Sequence, residues 1–195
     1  NLMLRGNFNR LRDAALHELS APDGCVNGHI LQVACVYGNF TSQLVRRLHT
    51  GAHLTVVDVA PIQVDNLQRK LGPQPQVSVL RQDATALSAA DASQDAVVLF
   101  FLLHEQPADV RAHTLAEAFR VLKPGGRLVL VDYHRPSWWH PLRWPMWAVL
   151  TTLEPFALDL WRRPVADWLP LAAAARIRTA RTFFGGLYQL LVIQR

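Results

Sequence analysis

Cysteine, lysine and long apolar runs are scarce in this chain, and each shortage excludes a class of protein. Its 195 residues include only two cysteines, Cys25 and Cys35, so we expect no disulfide framework and a reducing compartment. Only Lys70 and Lys123 are lysines, and neither a Lys/Arg-rich run nor a zinc-finger spacing occurs, so we expect no nucleic-acid partner. No uninterrupted apolar stretch approaches about 18 residues, so no membrane-spanning helix is predicted.

A G-x-G-x-x-G loop is also missing, which disfavours a nicotinamide-dependent dehydrogenase. What remains is an ordinary globular composition, in which 50% of the residues are hydrophobic and 18% are charged. The length suits a single domain over 1–195, and the net charge of +5 permits contact with anionic surfaces. The chain begins at Asn1 rather than at a methionine, which allows for a segment before it.

Apolar residues alternate between strand-like and helix-like spacing as far as residue 132. Strands are predicted over 30–36, 54–59, 77–81, 96–103 and 127–132, and helices over 8–19, 41–48, 61–71 and 107–121. Strands and helices in alternation predict βαβ units, a parallel sheet and helices on both of its faces. The uninterrupted run AVVLFFLL is typical of a central strand. The stretch KPGG predicts an abrupt stop before the fifth strand.

The pattern changes after residue 132. Residues 137–168 contain all six tryptophans, and Pro141, Pro145, Pro155 and Pro164 divide them into short helical pieces, which predicts a Trp-rich helical cap inserted into the domain. The C-terminal run IRTARTFFGGLYQLLVIQR alternates on either side of Gly-Gly and predicts an antiparallel hairpin. The predicted fold class is therefore α/β, with a mostly parallel sheet that is finished by an antiparallel hairpin.

The most informative stretch is HILQVACVYGNF, over 29–40, which reads as a buried strand running into a tight turn at Gly38. Asp58 follows about twenty residues later at the end of the apolar run LTVVDV, the spacing that places a carboxylate on a ribose in dinucleotide-type α/β units. Asp83, after the third strand, is the natural second contact, to an adenine amine. Each aspartate has an alternative role as a helix cap. Asp58 would cap the third helix, and Asp83 would cap a short helical segment that follows it.

Polar side chains follow the fourth and fifth strands, with His104 and Glu105 after one and Asp132, Tyr133 and His134 after the other. Because neighbouring parallel strands end at the same edge of a sheet, we expect these groups to lie together where ligands bind. Two imidazoles and a carboxylate suit manganese or iron, which would polarise a carbonyl, and Asp132 and His134 are the candidate ligands. Alternatively His104 and His134 act as general bases without a metal, or merely cap helices.

The chain resembles class I S-adenosylmethionine (SAM)-dependent methyltransferases in the motifs LQVACVYG, VVD, QDAT and, most specific, RVLKPGGRLVLVDY. The resemblance covers essentially the whole chain and implies a Rossmann-like, seven-stranded sheet whose last strand is antiparallel. It also implies SAM as the cofactor. The binding residues that it implies are Tyr37 and Gly38 at the methionine end, Asp58 at the ribose, and Asp83 and Ala84 at the adenine. Val59 is also expected to bind the cofactor.

Three positions of the first loop depart from that family's usual residues. Gln32 stands where the family carries an acid, and Ala34 and Val36 stand where it carries glycines. Gln32 and Ala34 are still expected to line the cofactor, but a side chain at a glycine position limits how closely a ligand approaches the backbone. Gln32 also removes the carboxylate that would face the ammonium of the methionine moiety, so we expect weakened binding or a shifted methionine moiety.

The chain also resembles a narrower group, the rhodoquinone biosynthesis methyltransferase-like enzymes. The segments that carry this resemblance are VACVYGNFT, VVDVAPIQ, LLHEQP, VDYHRP and LEPFALDLW. That resemblance implies conversion of ubiquinone to rhodoquinone, in which an amino group replaces a ring methoxy group, SAM donates the nitrogen and manganese assists. His104, Tyr133 and His134 are then the candidate catalytic residues. Loss of the acid at Gln32 removes one influence that keeps the amino group charged, which suits an amino donor.

The six tryptophans of 137–168 are interleaved with arginines, which suits a membrane interface or a lid over a lipophilic quinone; an ordinary cap is the plain alternative. The location that this implies is cytoplasmic, with peripheral contact to the inner face of the membrane. Three functions stay open: amination of ubiquinone, conventional methylation of a quinone or another lipophilic acceptor, and a catalytically silent binding protein. The retained Asp58 and Asp83 and the cluster around His104 favour an enzyme.

Overall fold

The computed structural model describes residues 5–35, 38–170 and 176–195, and its centre is one seven-stranded sheet. The strands are β1 (His29–Val33), β2 (His53–Asp58), β3 (Val77–Arg81), β4 (Gln94–Phe100), β5 (Leu122–Tyr133), β6 (Ile177–Phe183) and β7 (Tyr188–Gln194). Their order across the sheet is β3-β2-β1-β4-β5-β7-β6; β1 to β5 are parallel, and β7 is antiparallel to β5 and β6. The predicted fold class and C-terminal hairpin are confirmed.

Helices cover both faces of this sheet. They are α1 (Arg5–Leu19), α2 (Phe40–Val45), α3 (Pro61–Leu71), α4 (Ala108–Val121), α5 (Arg143–Leu153) and α6 (Asp159–Arg162), with 3₁₀ turns at Leu103–Glu105 and Val165–Trp168. The apolar middles of β4 and β5 need burial on both sides, as their continuous runs predict. On one face Phe40 stacks on Phe100 at 4.3 Å between ring centroids, and on the other Leu115 and Phe119 of α4 pack against the sheet.

Two predicted strands end three residues early, because the backbone turns sharply where each reaches the edge of the sheet. β1 stops at Val33, before Ala34 with a φ of +78°, and β4 stops at Phe100, before Phe101 with a φ of +58°. Both φ values lie in the left-handed region that favours glycine. An apolar run carries no signal for such a bend, so its periodicity extends each predicted strand into the loop.

The stretch KPGG is not a stop before β5 but part of that strand. β5 begins at Leu122, which pairs with Gln94, and the register shifts before Arg127 pairs with Ala96. Gly125, with a φ of +81°, supplies the bend within this irregularity. The prediction of an abrupt stop was therefore wrong, since an irregular pairing with β4 keeps these residues in the sheet.

The predicted Trp-rich cap consists of α5, α6 and the 3₁₀ turn after them, and one buried arginine ties it to the domain. Arg111 of α4 is 0% exposed; its Nε donates to the Leu103 carbonyl at 3.0 Å, and its Nη2 donates to the Gln106 and Phe156 carbonyls at 2.9 and 3.1 Å. The guanidinium also lies 4.5 Å from the centroid of the Trp168 ring. Because one cation binds carbonyls of both segments, Arg111 fixes the cap against the loop that follows β4.

Candidate active site

Asp58 ends β2 and holds the loop that follows β1. Its Oδ2 accepts a hydrogen bond from the Cys35 backbone N–H at 2.7 Å, and its Oδ1 accepts one from the Ala60 N–H at 2.9 Å. The bond to Ala60 stabilises the turn into α3, so Asp58 also has part of the helix-capping role that the sequence leaves open. Burial, followed by the charge of Asp58, raises the pKa of the Cys35 thiol to about 12, so this cysteine stays neutral. The carboxylate itself stays half-buried at the carboxyl edge of the sheet.

The first loop keeps a glycine-like backbone at Ala34 although the side chain is not glycine. The φ of +78° at Ala34 places it in the conformation that the family's glycine would adopt freely. Gly38 has a φ of +111°, and a Cβ there would lie 2.9 Å from Cζ of Phe8, so this turn excludes a side chain. Tyr37, predicted at the methionine end, and Val36 lie outside the described residues, and the role of Tyr37 stays a prediction.

Gln32 is buried in β1 and has one unsatisfied atom. It is 0% exposed, and its Nε2 donates to the Ala34 carbonyl and to Thr41 Oγ1, both at 2.9 Å. Its Oε1 is buried without a hydrogen-bond partner among the described residues. An unpaired buried acceptor costs about 1–3 kcal/mol, which a ligand N–H at this end of β1 would recover. The amide that replaces the family's acid therefore offers a neutral acceptor.

Asp83 lies exposed after β3 and stabilises its own turn. Its Oδ1 accepts bonds from the Thr85 N–H and the Thr85 hydroxyl, both at 2.8 Å. These bonds lower the pKa of Asp83, so its carboxylate is ionised at neutral pH. Asp83 thus also stabilises the local turn, as the capping alternative predicts, and it does so through Oδ1 rather than Oδ2. Ala84 beside it is half-buried, and Val59, the remaining predicted nucleoside contact, is 64% exposed at the same edge of the sheet.

His104 and Asp132 form a buried pair where β4 and β5 end. His104 is 7% exposed and Asp132 is 0% exposed, and His104 Nδ1 lies 2.9 Å from Asp132 Oδ1. Asp132 also accepts bonds from the N–H groups of Leu103 (2.7 Å), His104 (3.3 Å) and Tyr133 (2.7 Å). With a carboxylate as acceptor, Nδ1 carries the proton and Nε2 is the nitrogen left for chemistry. The structure therefore brings His104, Asp132 and Tyr133 together as the sequence predicts.

Carboxylates lie near the second nitrogen of His104. Its Nε2 is 3.8 Å from Glu154 Oε2 and 3.9 Å from Glu105 Oε1. Burial lowers the pKa of His104, but Asp132, Glu154 and Glu105 together outweigh that effect and raise the pKa above its usual value. The imidazole is therefore protonated over a wider pH range than a free histidine.

Aromatic rings form the wall beside this pair. The Tyr133 ring lies 4.8 Å from the His104 ring and is stacked on Tyr188 at 5.5 Å, and Phe101 meets both tyrosines edge-on at 6.1 and 5.6 Å. Burial, with the nearby Glu154 charge, raises the pKa of Tyr133 above its usual value and that of Tyr188 to about 12. Both hydroxyls therefore keep their protons, and the Tyr133 hydroxyl interacts with the Glu154 carboxylate.

His134 does not join the pair. Its Nδ1 lies 2.8 Å from the Gly186 carbonyl oxygen, which ties the ring to the β6–β7 turn. In the part of the chain that the structure describes, no group of three or more His, Cys, Asp or Glu side chains is placed to hold a metal ion. Asp132, meanwhile, already accepts four hydrogen bonds. The predicted manganese ligands, Asp132 and His134, are thus not assembled into a ligand set, and the residues present do not fit this metal.

Three contributors to the site carry no clear signal in the sequence. Tyr188 lies opposite Tyr133 only because β7 inserts beside β5. Glu154 belongs to the motif LEPFALDLW, but folding of the cap is what brings it to His104. Arg111 occurs in a helix whose neighbouring residues include other polar side chains, and it reads there as a solvent-facing charge.

A comparison with protein families finds a match over the part of the chain that contains most of these site residues. Residues 30–126, about half of the chain, match the profile of the family described as "Methyltransferase domain". The chain belongs to the class I SAM-dependent methyltransferase superfamily. The superfamily match begins in β1 and ends within β5, so it includes Gln32, Asp58, Asp83 and His104 and stops before Asp132 and the cap.

Curated relatives within the superfamily carry the names of quinone methyltransferases. Demethylmenaquinone methyltransferase of Lactiplantibacillus plantarum is 32% identical over 124 residues, which are 62% of this chain and 51% of that protein. The ubiquinone/menaquinone biosynthesis C-methyltransferase UbiE of Nitrobacter hamburgensis is 31% identical over 136 residues, which are 68% of this chain and 53% of that protein. The chain thus spans about half the length of the curated relatives it matches.

A solved member of the superfamily shows the same architecture over the full length. The N-methyltransferase NodS from Bradyrhizobium japonicum WM9 superposes with a TM-score of 0.69 at 19% identity, and the match covers 98% of each chain. At this identity the likeness shows the fold alone.

Four of the six tryptophans lie on the outside of the cap. Trp138, Trp139, Trp144 and Trp147 are 81%, 67%, 70% and 48% exposed. We call these four residues, with Val149 and Leu153 (44% and 74% exposed), the tryptophan surface. Among the described residues, no helix has both the length and the apolar character needed to cross a bilayer.

Proposed function

We propose that this protein is a SAM-dependent transferase that converts ubiquinone to rhodoquinone by replacing a ring methoxy group with an amino group. When bound, SAM would supply the transferred group. The observation that carries the proposal is Gln32, a buried neutral amide with an unsatisfied Oε1 at the position where the resembled family has an acid. A neutral acceptor binds an uncharged amine without favouring its protonation, so the amine can act as a nucleophile.

The nucleoside would be held by Asp58, Val59, Asp83 and Ala84. A carboxylate has about four lone-pair sites, and Asp58 uses two of them on backbone N–H groups, which leaves acceptors for two ribose hydroxyls. Asp83 keeps its Oδ2 for an exocyclic amine of the base. Gly38 keeps the first loop free of a side chain at its turn. The unsatisfied Oε1 of Gln32 would accept a hydrogen bond from the amino group of the bound SAM.

The acceptor ring would lie against His104 and Tyr133. Tyr133 donates its hydroxyl hydrogen to a quinone carbonyl oxygen, which makes the ring carbon more electrophilic. His104 delivers a proton from Nε2 to the departing methoxy oxygen, and Asp132 holds the imidazole in the required tautomer and orientation. We assign no step to His134, which is bound to the β6–β7 turn, and none to manganese.

Methyl transfer to a quinone is the second candidate. Relatives named as demethylmenaquinone and ubiquinone/menaquinone methyltransferases favour it. In that reaction Nε2 of His104 would have to accept a proton from the acceptor rather than donate one. The two candidates thus share the quinone and SAM but require opposite protonation states of the same imidazole.

Product analysis separates these candidates. The full chain is incubated with ubiquinone and with SAM that carries heavy nitrogen at its α-amino group, with and without manganese, and the products are identified by mass spectrometry. We expect an aminoquinone that contains the label. A methylated quinone would establish the second candidate instead, and the absence of both products would contradict both.

A double substitution tests the role of the first loop in the same assay. Gln32→Glu with Ala34→Gly restores the acid and the glycine, and we expect tighter SAM binding by calorimetry. We also expect amination to slow by about tenfold or more, because a carboxylate beside the amine raises its pKa by about 1–3 units. Ala34→Gly alone is the matched control. Undiminished amination by the double variant would remove the basis of the proposal.

We also propose that the tryptophan surface contacts the cytoplasmic face of a membrane, the source of a lipophilic quinone. No Asp or Glu occurs between Asp132 and Glu154, and the hydroxyls of Thr151 and Thr152 donate to the Trp147 and Ala148 carbonyls at 2.7 and 2.9 Å. The hydroxyls of these two threonines are thus satisfied within the helix. Exposed tryptophans on such a helix are typical of the bilayer interface.

Vesicle flotation tests this contact. We expect the chain to float with vesicles that contain phosphatidylglycerol and the variant Trp144→Ser/Trp147→Ser to bind about tenfold or more weakly, since each buried tryptophan contributes about 2 kcal/mol. The control is Ile62→Ser/Leu80→Ser, which removes two residues that are 59% and 41% exposed elsewhere on the molecule. If all of the unmodified protein stays in the soluble fraction, or self-associates instead, the proposal is wrong.

A further inference from the structure

Glu154 comes from the cap and ends beside the catalytic histidine. It directly follows α5, and its Oε2 lies 3.8 Å from His104 Nε2. This oxygen is buried and has no hydrogen-bond partner among the described residues. The Tyr133 hydroxyl interacts with the same side chain, but Oε2 itself lacks a donor within the described part of the chain. A buried carboxylate oxygen without a donor is costly, and a proton on Nε2 of His104 reduces that cost.

We infer that Glu154 is a positioning residue that holds the second proton of His104, so that His104 enters the reaction as an imidazolium and acts as an acid. This inference rests on the proposed function, because it names the residue that sets the protonation state on which the two candidate reactions differ. Glu154 itself contacts neither the transferred group nor the reacting carbon in this scheme.

Three carboxylates on three different elements face His104 and favour the imidazolium against the opposing effect of burial. Asp132 on β5 accepts its Nδ1 proton, Glu105 on the adjoining 3₁₀ turn lies 3.9 Å from Nε2, and Glu154 approaches from the cap. Tyr133 and Tyr188 are neutral, since burial raises the pKa of both hydroxyls. The NH groups of Arg111 bind the carbonyl oxygens of Leu103, Gln106 and Phe156.

Because Glu154 belongs to the cap, the position of the cap helps to determine whether His104 acts as an acid. The bond from Arg111 Nη2 to the Phe156 carbonyl, at 3.1 Å, holds the chain two residues beyond Glu154. The loss of methoxide needs an acid: the ring C–O bond breaks, its electron pair goes to oxygen, and the Nε2 proton completes methanol. The neutral imidazole then regains a proton from the newly bound nitrogen, so protons balance over the substitution, whose product still carries the Cα–N bond of SAM. Loss of the Cα proton to form an imine, with the two electrons accepted by the quinone ring, and hydrolysis of that imine by water then release the aminohydroquinone and a 2-oxo acid.

Histidine NMR titration measures this role without any substrate. The chain has eight histidines, and the His104 signals are identified by their loss in His104→Gln. We expect Glu154→Gln to lower the pKa of His104 by about one unit, the size expected for removal of one nearby opposite charge. Glu154→Asp keeps the negative charge but places it farther from His104, so it should give an intermediate pKa. This variant replaces Glu154→Gln as the test if the glutamine variant fails to fold.

Glu105 offers a matched control at almost the same distance. Its side chain is 67% exposed, against 34% for Glu154, so solvent screens its charge and Glu105→Gln should shift the pKa of His104 by roughly half as much or less. Equal shifts for the two variants, or an unchanged titration in both Glu154 variants, would overturn the inference.

The pH profile of amination supplies the second readout. Activity requires protonated His104 in this scheme, so the high-pH limb of kcat should move to lower pH in Glu154→Gln by the interval that NMR records. An NMR shift without any aminoquinone product would refute the proposed function and leave the Glu154–His104 coupling standing. An aminoquinone with no NMR shift would refute the coupling alone.

Discussion

Replacement of His104 by glutamine should reduce amination by about 10²–10⁴-fold, the usual contribution of a positioned acid or base. Glutamine keeps a polar side chain beside Asp132 but provides no titratable nitrogen where Nε2 lies. SAM affinity should change little, because Asp58 and Asp83 follow β2 and β3, on the other side of β1. Single-turnover rates and calorimetric titration with SAM measure the two effects separately.

His134→Gln is the control for that experiment. Sequence reasoning places the two histidines in the same role, whereas the structure ties His134 to the Gly186 carbonyl at 2.8 Å and buries His104 against Asp132. The control should therefore keep most of its activity. Equal losses in both variants would mean that the two imidazoles act together, as the predicted metal site requires, and would contradict a mechanism in which His104 alone supplies the proton.

Substitution of Asp132 by alanine should destabilise the protein by about 3–5 kcal/mol, as is usual when one partner of a buried charged pair is removed. The carboxylate is 0% exposed and accepts bonds from three backbone N–H groups and from His104 Nδ1. Alanine leaves all four donors without a partner at the point where β4, β5 and the 3₁₀ turn meet. Urea denaturation followed by circular dichroism gives the change in unfolding free energy.

Asp83→Ala provides the comparison, since this carboxylate also accepts two hydrogen bonds but lies exposed at the end of β3. Water can replace the acceptor there, so we expect a loss of only about 1 kcal/mol. A similarly small loss for Asp132→Ala would show that the folded protein does not depend on the network around His104.

The fold is predictable from the sequence because its signals are long and redundant. The apolar runs of β4 and β5 and the alternation around Gly185 and Gly186 each predict the correct element. The errors are local: periodicity does not register a single residue with positive φ, so it extends the predicted strands past Ala34 and Phe101. KPGG predicts a stop, wrongly, because its pairing with β4 depends on a register shift that no local pattern encodes.

The site is predictable only in part. His104, Asp132 and Tyr133 come together because parallel strands end at one edge, which is a property of topology and can be inferred from strand order. His134 is one residue beyond Tyr133, and the chain has by then turned toward the β6–β7 turn. Glu154 reaches His104 through the tertiary placement of the cap, which short helical pieces separated by prolines do not specify.

The methyl group of Ala34 has a consequence for how the first loop receives a ligand. A residue with a side chain in the left-handed conformation is less favourable by about 1–2 kcal/mol, but it also has far fewer alternative conformations than glycine. The bend at Ala34 therefore costs some folding stability, but it is already set before any ligand arrives. A ligand that fits this bend loses less entropy in ordering the loop, while one that needs the chain to flex is rejected.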